Sequence, residues 1–335
     1  MCSHKFISAA LQFFIQLMNC YDPNVMFHYT IGLDLGGTNL RAAAIDESGR
    51  VLEKVAGGTN YSEGREPLVA DMVSSIQKLR GSLGSNGLRG IGVVVPGFIH
   101  LKDGVIGNSN NLVCLEGFPI RDRLETELDA PVILENDANA AALGEKWMGA
   151  GREVNDLVLL TLGTGIGGGI ISGGKVLHGY LGMAGELGHI TVVPNGNPCG
   201  CGNRGCVEKH ASAQAISAMA RLAGLGEVTS EEVYRMARGG NPKAKQVFAS
   251  MGEALGIALA MLVNTFNFPL YLLSGGVIAA WDEFSPPMLD EVRRRSFSFR
   301  TTDTRIEKAT LGNEAGLYGA AYLPYVSAPL ASVAR

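Results

Sequence analysis

The chain has 335 residues and a mass of 35.3 kDa, which is enough for about two domains. Hydrophobic residues make up 46%, charged residues 18%, and the net charge is −4. These values exclude a disordered chain and argue against an electrostatic nucleic-acid binder. Glycine is in excess, at 45 residues against a usual share of about 7%, and this excess predicts many tight turns.

The cysteines and the N-terminal segment bear on the compartment. Cys199, Cys201 and Cys206 lie close together and the other three cysteines are scattered, which favours a metal site in a reducing cytoplasm over a disulfide framework. The apolar stretch 6–18 is too short to span a bilayer and lacks a nearby small-residue cleavage site. We therefore expect a cytoplasmic protein with no membrane partner, and we interpret residues 1–25 as an extension outside the fold.

The first half of the chain alternates between strand and helix patterns. Two apolar runs joined by a glycine turn predict a β-hairpin at its start. The predicted elements are strands 31–35 and 40–45, helix 67–83, strands 91–95 and 132–134, and helix 140–148. This alternation is typical of an α/β fold.

The second half opens in the same way as the first. Strand 157–162 runs into a glycine turn and continues as strand 169–172, and an offset of 127 places Asp34 on Thr161. Helix 242–264, strand 270–273 and helix 315–323 follow. The repeat predicts two related α/β domains with a cleft between them.

The two glycine turns are candidate phosphate sites. Gly163, Gly165 and Gly168 match a dinucleotide fingerprint, but that fingerprint must open a helix, and here a strand follows. Exposed backbone N–H groups in such turns can hold phosphate oxygens, with hydroxyls from Thr38, Thr161 and Thr164 beside them. The alternative is two ordinary hairpin turns. The duplication, with Asp34 at the end of the first strand, favours nucleotide phosphates and Mg²⁺.

A second pattern predicts a metal centre. His189, Cys199, Cys201 and Cys206 provide one imidazole and three thiolates among turn-forming residues, which is a ligand set for tetrahedral Zn²⁺. Four protein ligands leave no open position for water, so we expect a structural role. Glu186 and Glu208 flank this loop and are suited either to bind sugar hydroxyls or to support the zinc ligands.

Asp137 follows strand 132–134 and precedes a helix. In open α/β sheets ligands bind at such strand ends, and a carboxylate there can orient an alcohol and accept its proton. The same position also suits a helix N-cap. On the local pattern alone the N-cap is the favoured interpretation, and the catalytic one depends on the neighbouring motifs.

Seven motifs in this order resemble the ROK family of sugar kinases, and most of all its bacterial glucokinases. The resemblance covers about residues 26–323. The motifs are DLGGTNLR (34–41), VPG (95–97), ENDANAAALGE (135–145), LGTGIGGG (162–169), GELGH (185–189), CGCGNRGCVE (199–208) and LSGGV (273–277). The resemblance implies an actin-like (ribonuclease H-like) two-domain fold, with ATP and Mg²⁺ as cofactors and a hexose, most of all glucose, phosphorylated at its 6-hydroxyl.

The resemblance also implies roles for individual residues. Asp137 matches the catalytic base. The family's sugar contacts correspond to Asn111, Asn136, Glu186, His189 and Glu208, and its zinc ligands correspond to His189, Cys199, Cys201 and Cys206. Its phosphate-binding positions correspond to Gly36, Gly37, Thr38, Thr164 and Gly165, and its adenosine-binding positions correspond to Gly275 and Gly276. It further implies a small domain of residues 26–140 plus 313–330, a large domain of residues 141–312, and a homodimer.

The loop after Asn111 departs from the family pattern, which leaves the preferred hexose open among glucose, mannose, fructose, N-acetylglucosamine and N-acetylmannosamine. A sugar-responsive repressor is an alternative, because some ROK relatives are repressors. Residues 1–25 are too few for the DNA-binding domain that those proteins carry. A third hypothesis is a sugar-binding protein that has lost catalysis, and the presence of Asp137 with both glycine turns argues against it.

Overall fold

A computed structural model describes residues 28–36, 39–59, 63–109 and 112–327. Its first sheet has the strand order β3-β2-β1-β4-β7. The strands are β1 (Tyr29–Leu35), β2 (Asn39–Asp46), β3 (Val51–Gly58), β4 (Leu88–Val95) and β7 (Val132–Asn136), and a separate small hairpin comprises β5 (Phe98–His100) and β6 (Val105–Asn108). β1 pairs antiparallel with β2 and parallel with β4, so the predicted first hairpin is confirmed.

The second sheet repeats this arrangement, with the order β10-β9-β8-β11-β12. Its strands are β8 (Leu157–Leu162), β9 (Ile166–Ser172), β10 (Lys175–Val176), β11 (Leu270–Ser274) and β12 (Arg305–Lys308). β8 pairs antiparallel with β9 and parallel with β11, as β1 does with β2 and β4. The predicted internal repeat is therefore confirmed as a repeat of sheet topology, with β1 equivalent to β8.

The helices connect and cover the two sheets. They are α1 (Arg65–Leu83), α2 (Ile120–Leu128), α3 (Asp137–Met148), α4 (Glu208–Ala211), α5 (Ala213–Leu222), α6 (Ser230–Arg238), α7 (Pro242–Phe266), α8 (Trp281–Arg295) and α9 (Ala315–Val326). The four predicted helices are confirmed, with ends that differ by up to three residues. α3 begins three residues earlier than predicted because Asn136 caps it.

Helices α3 and α9 pack tightly against each other where the two sheets meet. A Cβ atom on Gly319 would lie 1.8 Å from the carbonyl oxygen of Ala140, so only glycine permits this approach. The hydrophobic residues of α9 also pack on the first sheet, and Leu317 is buried beside Ala43 and Ile45. The start of α3, which carries Asp137, is therefore held in a dense part of the core.

The long helix α7 forms the centre of the hydrophobic core beside the second sheet, with Phe248, Met251 and Leu255 fully or almost fully buried. By length and composition it is apolar enough to cross a membrane, but 67% of its most apolar window is buried inside the protein. Its apolar character is accounted for by packing against α8 and the second sheet.

Candidate active site and metal centre

One cavity of about 220 Å³ brings together most of the predicted sugar-binding residues, and we call it the central cavity. Its wall includes Asn136, Asp137, Glu186, His189 and Glu208, with small residues of β9 between them. These five side chains come from the β7–α3 turn, the loop after β10 and the start of α4. Asn111, the remaining predicted sugar contact, lies outside the described residues.

The β7–α3 turn is fixed by its own hydrogen bonds. Oδ1 of Asn136 accepts the backbone N–H groups of Ala138 at 2.9 Å and Asn139 at 3.3 Å, and its Nδ2 donates to the carbonyl of Gly97 at 3.0 Å. Asn136 is therefore the N-cap of α3, and the alternative in which Asp137 is the cap is wrong. Asp137 is the first helical residue, with its carboxylate facing the central cavity.

The surroundings of Asp137 stabilise the neutral, protonated form of its carboxyl group relative to the same group in water. Its side chain reaches solvent, but the surrounding protein raises the pKa of its carboxyl group, and the negative charge of Asp34 raises this pKa further. The backbone N–H of Ala138, 2.9 Å from Oδ1, acts in the opposite direction. A carboxylate with a raised pKa is a better proton acceptor than an ordinary aspartate.

Glu135 is a buried charge behind this turn that the sequence analysis did not single out. It is 2% exposed, and its Oε1 accepts the backbone N–H of Asn136 at 2.9 Å and Nδ2 of Asn139 at 3.1 Å. Its Oε2 lies 2.6 Å from Nε2 of His178. Neither Glu135 nor His178 stands out in its own segment, so the sequence contains no local signal for this pair.

The predicted metal ligands come together in space. One donor atom each from His189, Cys199, Cys201 and Cys206 lies within 4.8 Å of the other three. The Cys199 sulfur is 3.5 Å from Nδ1 of His189, and the sulfurs of Cys201 and Cys206 are 3.7 Å apart. Three sulfurs and one ring nitrogen at these separations fit around a single tetrahedral ion, and this donor set suits Zn²⁺.

The loop that carries these ligands also forms one side of the central cavity. Nδ1 of His189 faces the cysteines, while its Nε2 lies 3.8 Å from a carboxylate oxygen of Glu186. Oε2 of Glu208 accepts the backbone N–H of Ile166 at 3.1 Å, which ties the loop to the start of β9. A metal at the four ligands would therefore fix polar groups that face the central cavity.

Gly185 allows this loop to approach β9 closely. Its φ of +95° is a conformation that favours glycine, and a Cβ there would lie 2.7 Å from the carbonyl oxygen of Gly168. The neighbouring Glu186 is exposed toward the cavity. The backbone at Gly185 thus sets where the Glu186 carboxylate stands.

The first glycine turn carries a charged cluster. Asp34, near the end of β1, pairs with Arg41 across the β1–β2 hairpin, and Arg41 also lies 3.5 Å from Glu314. Burial raises the pKa of Asp34, while the charge of Arg41 lowers it in part. Gly36 opens onto a cavity of about 560 Å³ beside Arg41. Gly37 and Thr38 lie outside the described residues.

The second glycine turn is built from hydroxyl and backbone groups. Thr161 accepts the N–H of Gly167 on its side-chain oxygen at 3.1 Å, and the N–H of Gly163 donates to the carbonyl of Gly165 at 3.0 Å. Thr164 lines a cavity of about 370 Å³ together with residues of α5 and α6.

Gly275 and Gly276, the predicted adenosine-side residues, directly follow β11, which pairs with β8. Among the described residues, Gly36 lines the cavity beside Arg41 and Thr164 lines the cavity beside α5 and α6.

Comparison with known proteins agrees with this architecture. The ROK family model matches residues 30–325. The glucokinase of Halalkalibacterium halodurans is 37% identical over 310 residues, which are 88% of this chain and 94% of that protein. The ROK hexokinase of Thermus thermophilus has a similar structure, with a TM-score of 0.82, 38% identity, and coverage of 89% of this chain and 98% of that one.

A third relative is the ROK family glucokinase of Streptomyces griseus, whose structure is a complex with glucose and AMPPNP. It matches with a TM-score of 0.71 and 33% identity over 88% of this chain and 98% of that one. The predicted fold class is confirmed by these similarities. The chain therefore belongs to the ROK family and has the actin-like two-domain fold of its sugar kinases.

Proposed function

We propose that this ATP-dependent sugar kinase transfers the γ-phosphate of ATP to the 6-hydroxyl of glucose. The observation that carries the proposal is the central cavity, in which carboxylates, amides and an imidazole line one space of about 220 Å³. Such groups accept and donate hydrogen bonds to the several hydroxyls of a hexose. The glucokinase relatives support glucose as the acceptor.

Asp137 is suited to start the transfer. Its carboxylate accepts the proton of the sugar 6-hydroxyl while the sugar oxygen forms a bond to the γ-phosphorus. The bond between that phosphorus and the bridging oxygen of ADP breaks, which leaves ADP and glucose 6-phosphate. The raised pKa of Asp137 makes its carboxylate a stronger base than an ordinary aspartate, and the cap formed by Asn136 holds the turn in place.

The two glycine turns are suited to the nucleotide. The backbone N–H of Gly165 and the hydroxyl of Thr164 would hold phosphate oxygens at the second turn. At the first turn Gly36 would leave room for a phosphate, since its own N–H donates to the carbonyl of Asn39 at 2.8 Å. The Asp34 carboxylate provides the hard oxygen ligand that Mg²⁺ prefers, either directly or through water. Bound Mg²⁺ would offset the negative charge of the phosphates. Asp34 and Asp137 are near enough for the charge of one to raise the pKa of the other, so such an ion would relieve repulsion between them.

The metal centre has a structural role in this proposal. Zn²⁺ held by His189, Cys199, Cys201 and Cys206 has no free position for substrate or water. It would instead fix the ring of His189 and the loop beside Glu186, which are part of the central cavity. The four donors within 4.8 Å of one another support this assignment.

The first experiment measures ADP release with ATP and Mg²⁺ on glucose, mannose, fructose, N-acetylglucosamine and N-acetylmannosamine, with a control lacking sugar. We expect the highest kcat/KM on glucose. A higher value on another hexose would contradict the glucose assignment and keep the kinase. Hexose binding without turnover on any of them would support the sugar-responsive regulator instead.

The role of Asp137 is tested by Asp137→Asn. We expect kcat to fall by about 10³-fold, because a general base contributes about 10² to 10⁴-fold, while the glucose Kd changes little. Asp303→Asn is the matched control, since Asp303 is exposed and lies away from the central cavity. An Asp137→Asn enzyme as fast as the wild type would contradict the assignment of the base.

A further inference from the structure

The bond between Glu135 and His178 connects two parts of the chain that carry the central cavity. Glu135 is on β7 in the first sheet, and His178 follows β10 of the second sheet, 43 residues later. Nε2 of His178 lies 2.6 Å from Oε2 of Glu135, which is a short bond for these groups. The proposed function above assigns no role to either residue.

Each partner of this bond holds a different side of the central cavity. The other oxygen of Glu135 accepts the N–H of Asn136, the residue before Asp137. The carbonyl oxygen of His178 accepts the N–H of Ala184 at 3.0 Å and so closes the base of a loop. That loop leads through Gly185 to Glu186 and then to His189.

The surroundings make the bond hard to replace by water. The Glu135 side chain is 3% exposed, so its carboxylate depends on protein donors, and only His178 is found at Oε2 among the described residues. Burial lowers the pKa of His178, but its hydrogen bond to Glu135 and the charge of that carboxylate outweigh burial, so the pKa is raised overall. Loss of the imidazole would leave a buried carboxylate oxygen without a donor.

We propose that His178 is a positioning residue that, through Glu135, sets the distance between the Asn136–Asp137 turn and the loop carrying Glu186 and His189. The inference rests on the proposed function, because it names the residue pair that holds the two sides of the same sugar site together. His178 itself does not line the central cavity and makes no contact with the reacting atoms.

Two substitutions at His178 separate positioning from simple folding. His178→Leu removes the donor, whereas His178→Gln keeps an N–H group near the place of Nε2. We expect His178→Leu to raise the Kd for hexose and lower kcat/KM by about 10- to 100-fold, because small displacements of reacting groups are costly. We expect His178→Gln to restore most of this loss. Lys175→Gln, an exposed change on β10, is the matched control and should behave as the wild type.

A second arm tests whether the effect passes through Glu135. In a Glu135→Gln background, His178→Leu should add little further loss, because the pair is already broken. Additive losses would overturn the proposal. So would a His178→Leu protein that has a lower melting temperature and a smaller active fraction but unchanged KM and hexose Kd.

Hexose affinity is measured by calorimetry and does not require turnover, so the two proposals fail in different ways. A wild type that binds hexose but does not phosphorylate it contradicts the kinase assignment, and the variants still decide the role of His178. Wild-type turnover with unchanged Kd and kcat/KM in His178→Leu contradicts only the positioning role. A wild type that binds no hexose contradicts both.

Discussion

The two sides of the central cavity are held in place by different means. The first, which we call the turn wall, consists of Asn136 and Asp137 at the start of α3. The second, the loop wall, consists of Glu186, His189 and Glu208. The turn wall is fixed by hydrogen bonds to neighbouring backbone and by a helix packed in the core.

The loop wall has much less regular structure behind it. Between Glu186 and Glu208 the backbone makes only a short 3₁₀ turn and isolated bridges such as Thr191 to Cys206. The four predicted metal ligands lie within this segment. Since Glu186 and His189 lack the hydrogen-bond ladder of a long helix or a strand, a metal at these four donors would hold them in place instead.

Removal of the metal should have the largest effect that separates the two walls. After chelation we expect the hexose Kd to rise by at least about 100-fold, or about 2.7 kcal/mol, because the loop wall loses its support while the turn wall is unchanged. Calorimetry measures the Kd, and far-ultraviolet circular dichroism should show that the helices remain.

The control for metal removal is restoration. Zn²⁺ should recover hexose binding and Mg²⁺ should not, and Cys201→Ala should reproduce the chelated protein because one of the four ligands is lost. Undiminished hexose affinity in the metal-free protein would show that the loop wall keeps its structure without the ion and that the two walls do not differ in this respect.

Much of both walls was predictable from sequence because it depends on local spacing. His189 and the three cysteines predict a metal centre by residue type and separation, and the strand before Asp137 predicts its place at a strand end. The strand and helix patterns likewise predicted two similar sheets. These features require only short-range information: turn residues, hydrophobic period and ligand chemistry.

What was not predictable depends on contacts between distant segments. The bond from Glu135 to His178 joins residues of different sheets, and neither residue stands out in its own segment. The N-cap of α3 falls on Asn136 instead of Asp137 because the side chain of Asn136 folds over the first turn, and both residue types suit that role. The cavities lined by Gly36 and by Thr164 are separate because of how the two sheets are arranged, and no sequence motif specifies that arrangement.

Asn136→Ala should weaken the turn wall by an intermediate amount. The substitution removes the cap of α3 and the bond to Gly97, which costs about 1 kcal/mol of folding free energy, and it removes one proposed sugar contact. We expect the hexose KM to rise about 10-fold, as for the loss of a hydrogen bond of about 1 to 1.5 kcal/mol. Urea unfolding and steady-state kinetics measure the two effects.

Asn241→Ala is the matched control for this cap, because Asn241 caps α7 with the same side-chain geometry and does not line the central cavity. It should lose a similar folding free energy with an unchanged KM. Equal KM values for both variants would mean that Asn136 acts only as a cap, and the turn wall would then consist of Asp137 alone.

The smallest expected effect is a shift along the pH axis. The Asp137 carboxyl has a raised pKa, and only its ionised form accepts a proton, so kcat/KM should fall as the pH is lowered through that pKa, at a higher pH than for an ordinary aspartate.

Asp34→Asn removes a negative charge that raises this pKa, so the acid limb should move to lower pH even where the maximal rate also drops. Each profile is normalised to its own maximum to remove differences in rate, and the titration of ATP and of other shared groups is common to all variants. Asp303→Asn, an exposed charge removed elsewhere, should leave the limb in place. An acid limb that does not move in Asp34→Asn would mean that the two carboxylates do not interact, and the turn wall would then be electrically independent of the phosphate side of the cleft.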